Sequence, residues 1–107
     1  MITLHLRYTI DPNKLADFRR YAEAEQKAIT ESGGNILGYF LPTDFAGPTN
    51  EAIGVIDVGT LAEYETYRAK LAAHPLHKKN AIALERSGAL LSIIRSLIQR
   101  VEPTNDE

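Results

Sequence analysis

The chain has 107 residues, a formal net charge of −2 and 44% hydrophobic residues, enough for one domain whose core needs neither disulfide nor metal. It contains no cysteine, which excludes disulfides, thiolate nucleophiles and cysteine-ligated zinc or iron–sulfur centres. No Lys/Arg cluster makes an electrostatic footprint for nucleic acid and no apolar run approaches the roughly 18 residues of a membrane span, so the expected setting is the cytoplasm.

Ile2, Leu4, Leu6, Tyr8 and Ile10 alternate with Thr3, His5, Arg7 and Thr9, the period-two pattern of a strand over residues 2–10. Asp11-Pro12 then supplies an N-cap and a first-turn proline for a helix. Leu15, Phe18, Ala22 and Ile29 form its inner stripe, and Ser32-Gly33-Gly34 ends it. A strand is expected from Asn35 to Leu41, interrupted by Gly38 and stopped by Pro42. A loop over 43–50 leads to a partner strand, Glu51 to Val58. Thr60 with Glu63 is a capping box opening a second helix, on which Leu61, Tyr64, Arg68 and Leu71 mark the inner stripe. His74-Pro75 breaks that helix, a short one runs from Pro75 to Arg86, and Gly88 ends it. Leu90 to Val101 reads as the final strand, and the polar tail 102–107 is expected to fray.

The order βαββαβ predicts a single ferredoxin-like α+β domain over residues 1–107, an antiparallel sheet with helices on one face. Right-handed crossovers put the first and third strands in the centre and the last at an edge. The last strand is apolar on both parities: Leu91, Ile93 and Leu97 on one, Leu90, Ile94 and Ile98 on the other. A sheet with one helix-covered face does not satisfy that pattern alone, and two sheets packed face to face as a homodimer do.

The segments Leu4-His5-Leu6-Arg7-Tyr8, Gly33-Gly34 with Gly38-Tyr39-Phe40-Leu41-Pro42-Thr43, and Tyr64 to Leu71 with His74-Pro75 resemble the NIPSNAP family, within the wider dimeric α+β barrel group. The likeness runs from about residue 2 to about residue 100. It implies a homodimer whose two sheets form a barrel. It implies no particular reaction, because the wider group spans cofactor-free monooxygenases, haem enzymes, isomerases and stress-response proteins.

The candidate ligand-binding residues are His5, Arg7, Tyr39 and Arg95, expected to border one polar pocket or interface cluster. His5 and Arg7 share a face of a central strand and Arg95 lies among aliphatics, where charge is costly unless paired or met by a ligand. The structural alternative for Arg7 is an ion pair with Asp57. Gly38 and Gly54 leave space over the sheet that a ligand or an aromatic side chain such as Tyr39 can fill. His74 and His77 lack a third ligand nearby in sequence, so no metal site is assigned; the plain reading has His74 capping the short helix and His77 solvated. No triad, phosphate loop or dinucleotide fingerprint appears, and no cofactor is called for. Two readings of function result. One is a small-molecule-binding protein, in its sharper form a cofactor-free monooxygenase with His5 as base and an aromatic substrate. The other is a non-enzymatic interaction module. A polar-lined cavity between sheet and helices favours the first and a filled interior the second.

Overall fold

The structure, a computed structural model, describes residues 1–104; the part of the expected frayed tail from 105 onward lies outside the described residues. The elements follow the expected order: β1 (Ile2–Ile10), a 3-10 turn (Pro12–Lys14), α1 (Leu15–Glu31), β2 (Asn35–Phe40), β3 (Glu51–Gly59), α2 (Leu61–Ala73), α3 (Pro75–Ser87) and β4 (Leu90–Gln99). The sheet order is β2-β3-β1-β4, with every neighbouring pair antiparallel. Among the described residues no helix is long and apolar enough to cross a membrane.

Local chemistry sets the boundaries. The Asp11 carboxylate accepts from the Asn13 backbone N–H, but the proline turn is 3-10 and the α-helix proper begins at Leu15. Thr60 caps α2 by accepting from the Glu63 N–H at 3.2 Å, as the capping box requires. The His74 Nδ1 accepts from the Leu76 N–H at 3.1 Å and so caps α3. Gly88 takes the left-handed conformation (φ 70°) that closes it.

Pairing register assigns the faces, because directly opposed residues point the same way. Leu4, Leu6, Tyr8 and Ile10 of β1 and Ala52, Ile56 and Val58 of β3 are buried beneath the helices. Phe18, Ala22, Ala28 and Ile29 of α1 cover them. On α2 the buried residue is Tyr67; Leu61, expected inside, is more than half exposed. The opposite sheet face carries Thr3, His5, Arg7 and Thr9, opposed by Asp57, Val55, Ile53 and Glu51 on one side and by Ile98, Ser96, Ile94 and Ser92 on the other. Phe40 joins it opposite Ile53.

Two register shifts bend the edge strands. In β2, Ile36 opposes Ile56 and Gly38 opposes Val55, so one extra residue bulges there and Gly38 marks the bulge. In β4, Ser92 opposes Thr9 while Leu90 opposes Ile10, which leaves Leu91 as the extra residue.

The tightest glycines are elsewhere. A Cβ on Gly38 would meet only the exposed Phe40 ring, at 3.0 Å, and that ring can yield. A Cβ on Gly34 would lie 2.8 Å from both Ile29 and Tyr67 and 3.0 Å from Ile56, all held in the core. Gly34→Ala should therefore cost about 1–3 kcal/mol through overpacking, read as a lower midpoint in urea unfolding with an unchanged slope. A midpoint equal to the parent's would show that this corner of the core is slack.

Candidate functional site

Beneath α1 the sheet carries a cluster of four aromatic rings. Tyr8 of β1 packs on Phe18 of α1 with centroids 4.8 Å apart, Phe18 on Tyr21 at 5.7 Å, and Tyr39 of β2 reaches Tyr8 at 6.1 Å. Tyr39 fits because Gly54 beside it has no side chain; a Cβ there would lie 2.9 Å from the ring. The space left by that glycine is thus filled by an aromatic neighbour rather than left open. The Tyr8 and Tyr39 hydroxyls face each other across 3.4 Å.

Next to the rings lies a buried carboxylate. Glu25 sits one turn after Tyr21 and is 2% exposed. Its Oε2 accepts from the Tyr21 hydroxyl at 3.1 Å and stands 2.5 Å from the His77 Nδ1; its Oε1 accepts from the Asn80 Nδ2 at 3.2 Å. Asn80 also donates to the Tyr21 carbonyl at 2.9 Å. With these partners the carboxylate is satisfied inside the fold. His77 is therefore not the solvated first-turn residue expected from sequence: helix phase turns it inward, while Lys78 and Lys79 stay exposed.

Between α3, α2 and β4 the helix-covered face opens into a cleft with two adjoining lobes of about 370 and about 100 Å3. Tyr8, Tyr21, His77, Ile93 and Arg95 line both. The larger lobe adds Ala81, Leu84, Glu85 and Leu90. The smaller adds Glu25, Arg68, Leu71 and Ala72. The lining of both lobes is thus mixed: apolar side chains stand beside a histidine, phenols and arginine guanidinium groups, with the Glu85 carboxylate on the larger lobe. Among the described residues neither Arg68 nor Arg95 has a carboxylate within 4.0 Å.

The sheet divides the four residues singled out from sequence. Arg95 opposes Leu6, and Tyr39 opposes Gly54, which itself opposes Leu6, so both are on the helix-covered face. Arg95 lines the cleft and Tyr39 stands behind Tyr8. His5 and Arg7 point the other way, since they alternate with the buried Leu4, Leu6 and Tyr8. One pocket bordered by all four is not what this register builds. Nor does Arg7 pair with Asp57. It lies 3.5 Å from Glu51, while Asp57, directly opposite Thr3, accepts from the Thr3 hydroxyl at 2.6 Å. His74 bonds Glu31 at 2.8 Å, and among the described residues no group of three or more His, Asp or Glu side chains is placed to hold a metal. Tyr8 was expected only as an apolar strand position and His77 only as a solvated residue, and Tyr21 and Glu25 had no expected role. One signal was present: Glu25 falls in step with the apolar stripe Phe18, Ala22 and Ile29.

The topology defines a ferredoxin-like α+β protein with a cleft between its helices and the covered sheet face. The NIPSNAP family model matches residues 5–102, and the chain belongs to the NIPSNAP family. Among curated proteins none matches it. Similar solved structures include a NIPSNAP family protein from Agrobacterium tumefaciens, 25% identical, with a TM-score of 0.77 and coverage of 97% of this chain and 93% of that one. A NIPSNAP-like domain protein from Burkholderia xenovorans is 22% identical, with a TM-score of 0.79 and coverage of 98% and 89%. SnoaB, a cofactor-independent oxygenase from Streptomyces nogalater, is 17% identical, with a TM-score of 0.62 and coverage of 98% and 97%.

Burial keeps the phenols of this region protonated. Loss of hydration pushes Tyr8 up to about 12, with the Tyr39 hydroxyl and the positive field of Arg95 opposing the rise. Tyr21, Tyr39 and Tyr67 are raised further, again chiefly by burial, with neighbouring phenols and Glu25 adding to it. An unfolded chain releases these protons near the ordinary tyrosine value of 10.0. The folded state binds them more tightly, so the Tyr8 contribution to stability is complete below pH 10 and is lost as pH rises through about 12, while those of Tyr21, Tyr39 and Tyr67 are lost only at still higher pH. In an alkaline titration the main phenolate absorbance change should coincide with loss of far-ultraviolet circular dichroism. Ionisation of most of the tyrosines in a still-folded protein would contradict this account.

Proposed function

We propose that this NIPSNAP protein binds a small organic anion with an apolar body in the cleft between its sheet and helices. The observation that carries this reading is the mixed lining of the cleft: Leu84, Leu90 and Ile93 offer apolar surface, while Arg68 and Arg95 offer guanidinium groups without a carboxylate partner within 4.0 Å among the described residues. An arginine reached by one anionic group gains charge-assisted hydrogen bonds of fixed geometry. Tyr8 and Tyr21 supply hydroxyls and aromatic surface. A filled interior would have favoured the interaction module, and the cleft speaks for the small-molecule reading.

A second reading, oxygenase chemistry on an electron-rich aromatic substrate, draws on the likeness of fold to SnoaB and on the aromatic lining. The base assigned to it from sequence, His5, faces away from the cleft; the histidine that lines it is His77.

The open sheet face supports a homodimer. Phe40, Ile94 and Ile98 are each about half exposed there, beside Ile53 and Val55. The Arg7–Glu51 pair tempers the charge on the same face. A second copy of the chain laid sheet to sheet covers this surface and completes a barrel.

Two measurements test these assignments. Phenylpyruvate, an aryl-bearing keto acid, serves as probe in an amide NMR titration; shifts should concentrate at Tyr8, Tyr21, Ile93 and Arg95. Arg95→Met should weaken binding roughly tenfold or more, the loss of a charge-assisted contact. Shifts confined to Phe40, Ile94 and Ile98 would instead place the probe on the wrong face. For assembly, light scattering should give about twice the 11.9 kDa chain mass. Ile94→Lys should return a folded monomer, and a parent that is already monomeric removes the barrel.

A further inference from the structure

We propose that His77 is a proton-transfer base in the cleft, oriented by the buried Glu25, and that the ligand it serves is an anionic carbonyl compound with an acidic C–H next to the carbonyl. This rests on the cleft being a small-molecule site. Glu25 presents Oε2 to the His77 Nδ1 at 2.5 Å and is held in place by Tyr21 and Asn80. A carboxylate acceptor at Nδ1 fixes the ring proton there and leaves the Nε2 lone pair as the free acceptor. Among the described residues Nε2 has no hydrogen-bond partner, and the ring, one quarter exposed, lines both lobes. The same contact ties α1 to α3, but a structural tie does not require the unpartnered Nε2 to lie in the cleft wall. Carboxylate, imidazole and cleft in series are what a general base requires.

The remaining groups suit the same substrate. Arg68 and Arg95 line the cleft together with His77. One guanidinium holds the substrate's carboxylate and the other stands by the carbonyl oxygen on which negative charge develops. Nε2 takes the proton from the carbon beside the carbonyl. The C–H electron pair becomes the C=C bond of an enolate, and the carbonyl π pair moves onto oxygen. The imidazolium so formed faces the Glu25 carboxylate, and return of the proton to carbon regenerates the base. No oxidant or cofactor enters. The charged and titratable groups around His77 are Glu25 and Tyr21 from α1, Arg68 from α2, Glu85 from its own helix, and Tyr8 and Arg95 from the sheet.

Phenylpyruvate in D2O tests the proposal, with deuterium incorporation at its methylene group followed by proton NMR and binding followed separately through amide shifts. The wild-type protein should accelerate exchange roughly 100-fold over an equal concentration of free imidazole. His77→Gln, which keeps a hydrogen bond to Glu25, should abolish the acceleration while binding persists. Glu25→Gln should slow exchange and move its pH profile, and Glu25→Asp should restore part of the rate. Imidazole 15N shifts of the wild type should show the Nδ1–H tautomer, a readout that needs neither variant. Bound phenylpyruvate without accelerated exchange, or an Nε2–H tautomer, overturns the proton-transfer proposal and leaves the cleft as a binding site. Absence of any phenylpyruvate binding overturns the cleft reading and this proposal with it.

Discussion

The Glu25 carboxylate is the constraint on which the arrangement of helices depends. It is buried, so its oxygens need donors from the protein, and these come from Tyr21 on its own helix and from His77 and Asn80 on α3. His77 and Asn80 are one turn apart and meet the same carboxylate from one face of α3. Sliding α3 by a turn would leave the buried carboxylate with Tyr21 alone, so apolar packing alone does not set the helix position. The helix is held where the cleft between it and β4 stays open.

The aromatic cluster transmits that position to the sheet. Phe18 and Tyr21 descend from α1 onto Tyr8 and Tyr39, so the helix carrying Glu25 rests on rings rooted in β1 and β2. Burying rings of this size accounts for much of the core, and their hydroxyls give that core a polar seam at the cleft wall. The same burial that stabilises the cluster holds its phenols in their neutral form.

The fold was legible because its signals are local. The alternation in β1, the Thr60 capping box, His74-Pro75 and Gly88 each act over a few residues, and each does what its pattern implies. The candidate site was less legible because it is made of distant pairs: Glu25 with His77, and Arg95 opposite Leu6. Parity grouped Arg95 with Ile93 and Leu97, but which side of β4 meets the helices is fixed by pairing register and by the bulge at Leu91. His5 and Arg7 were rightly read as sharing a face, and the helices cover the other one. Arg7 chose Glu51 over Asp57 for the same reason, since antiparallel register places Asp57 opposite Thr3.

The glycine at position 54 carries a consequence for descent. The Tyr39 ring occupies the volume a side chain there would need, and the Tyr39 hydroxyl meets that of Tyr8 beside the cleft. Positions 39 and 54 are therefore one steric unit divided between two strands. A lineage can enlarge residue 54 only after shrinking residue 39, and the intermediate with both large does not pack. Among relatives the two sites should change as a couple, a tyrosine with a glycine or a smaller residue with a larger one, while neighbouring strand positions drift independently.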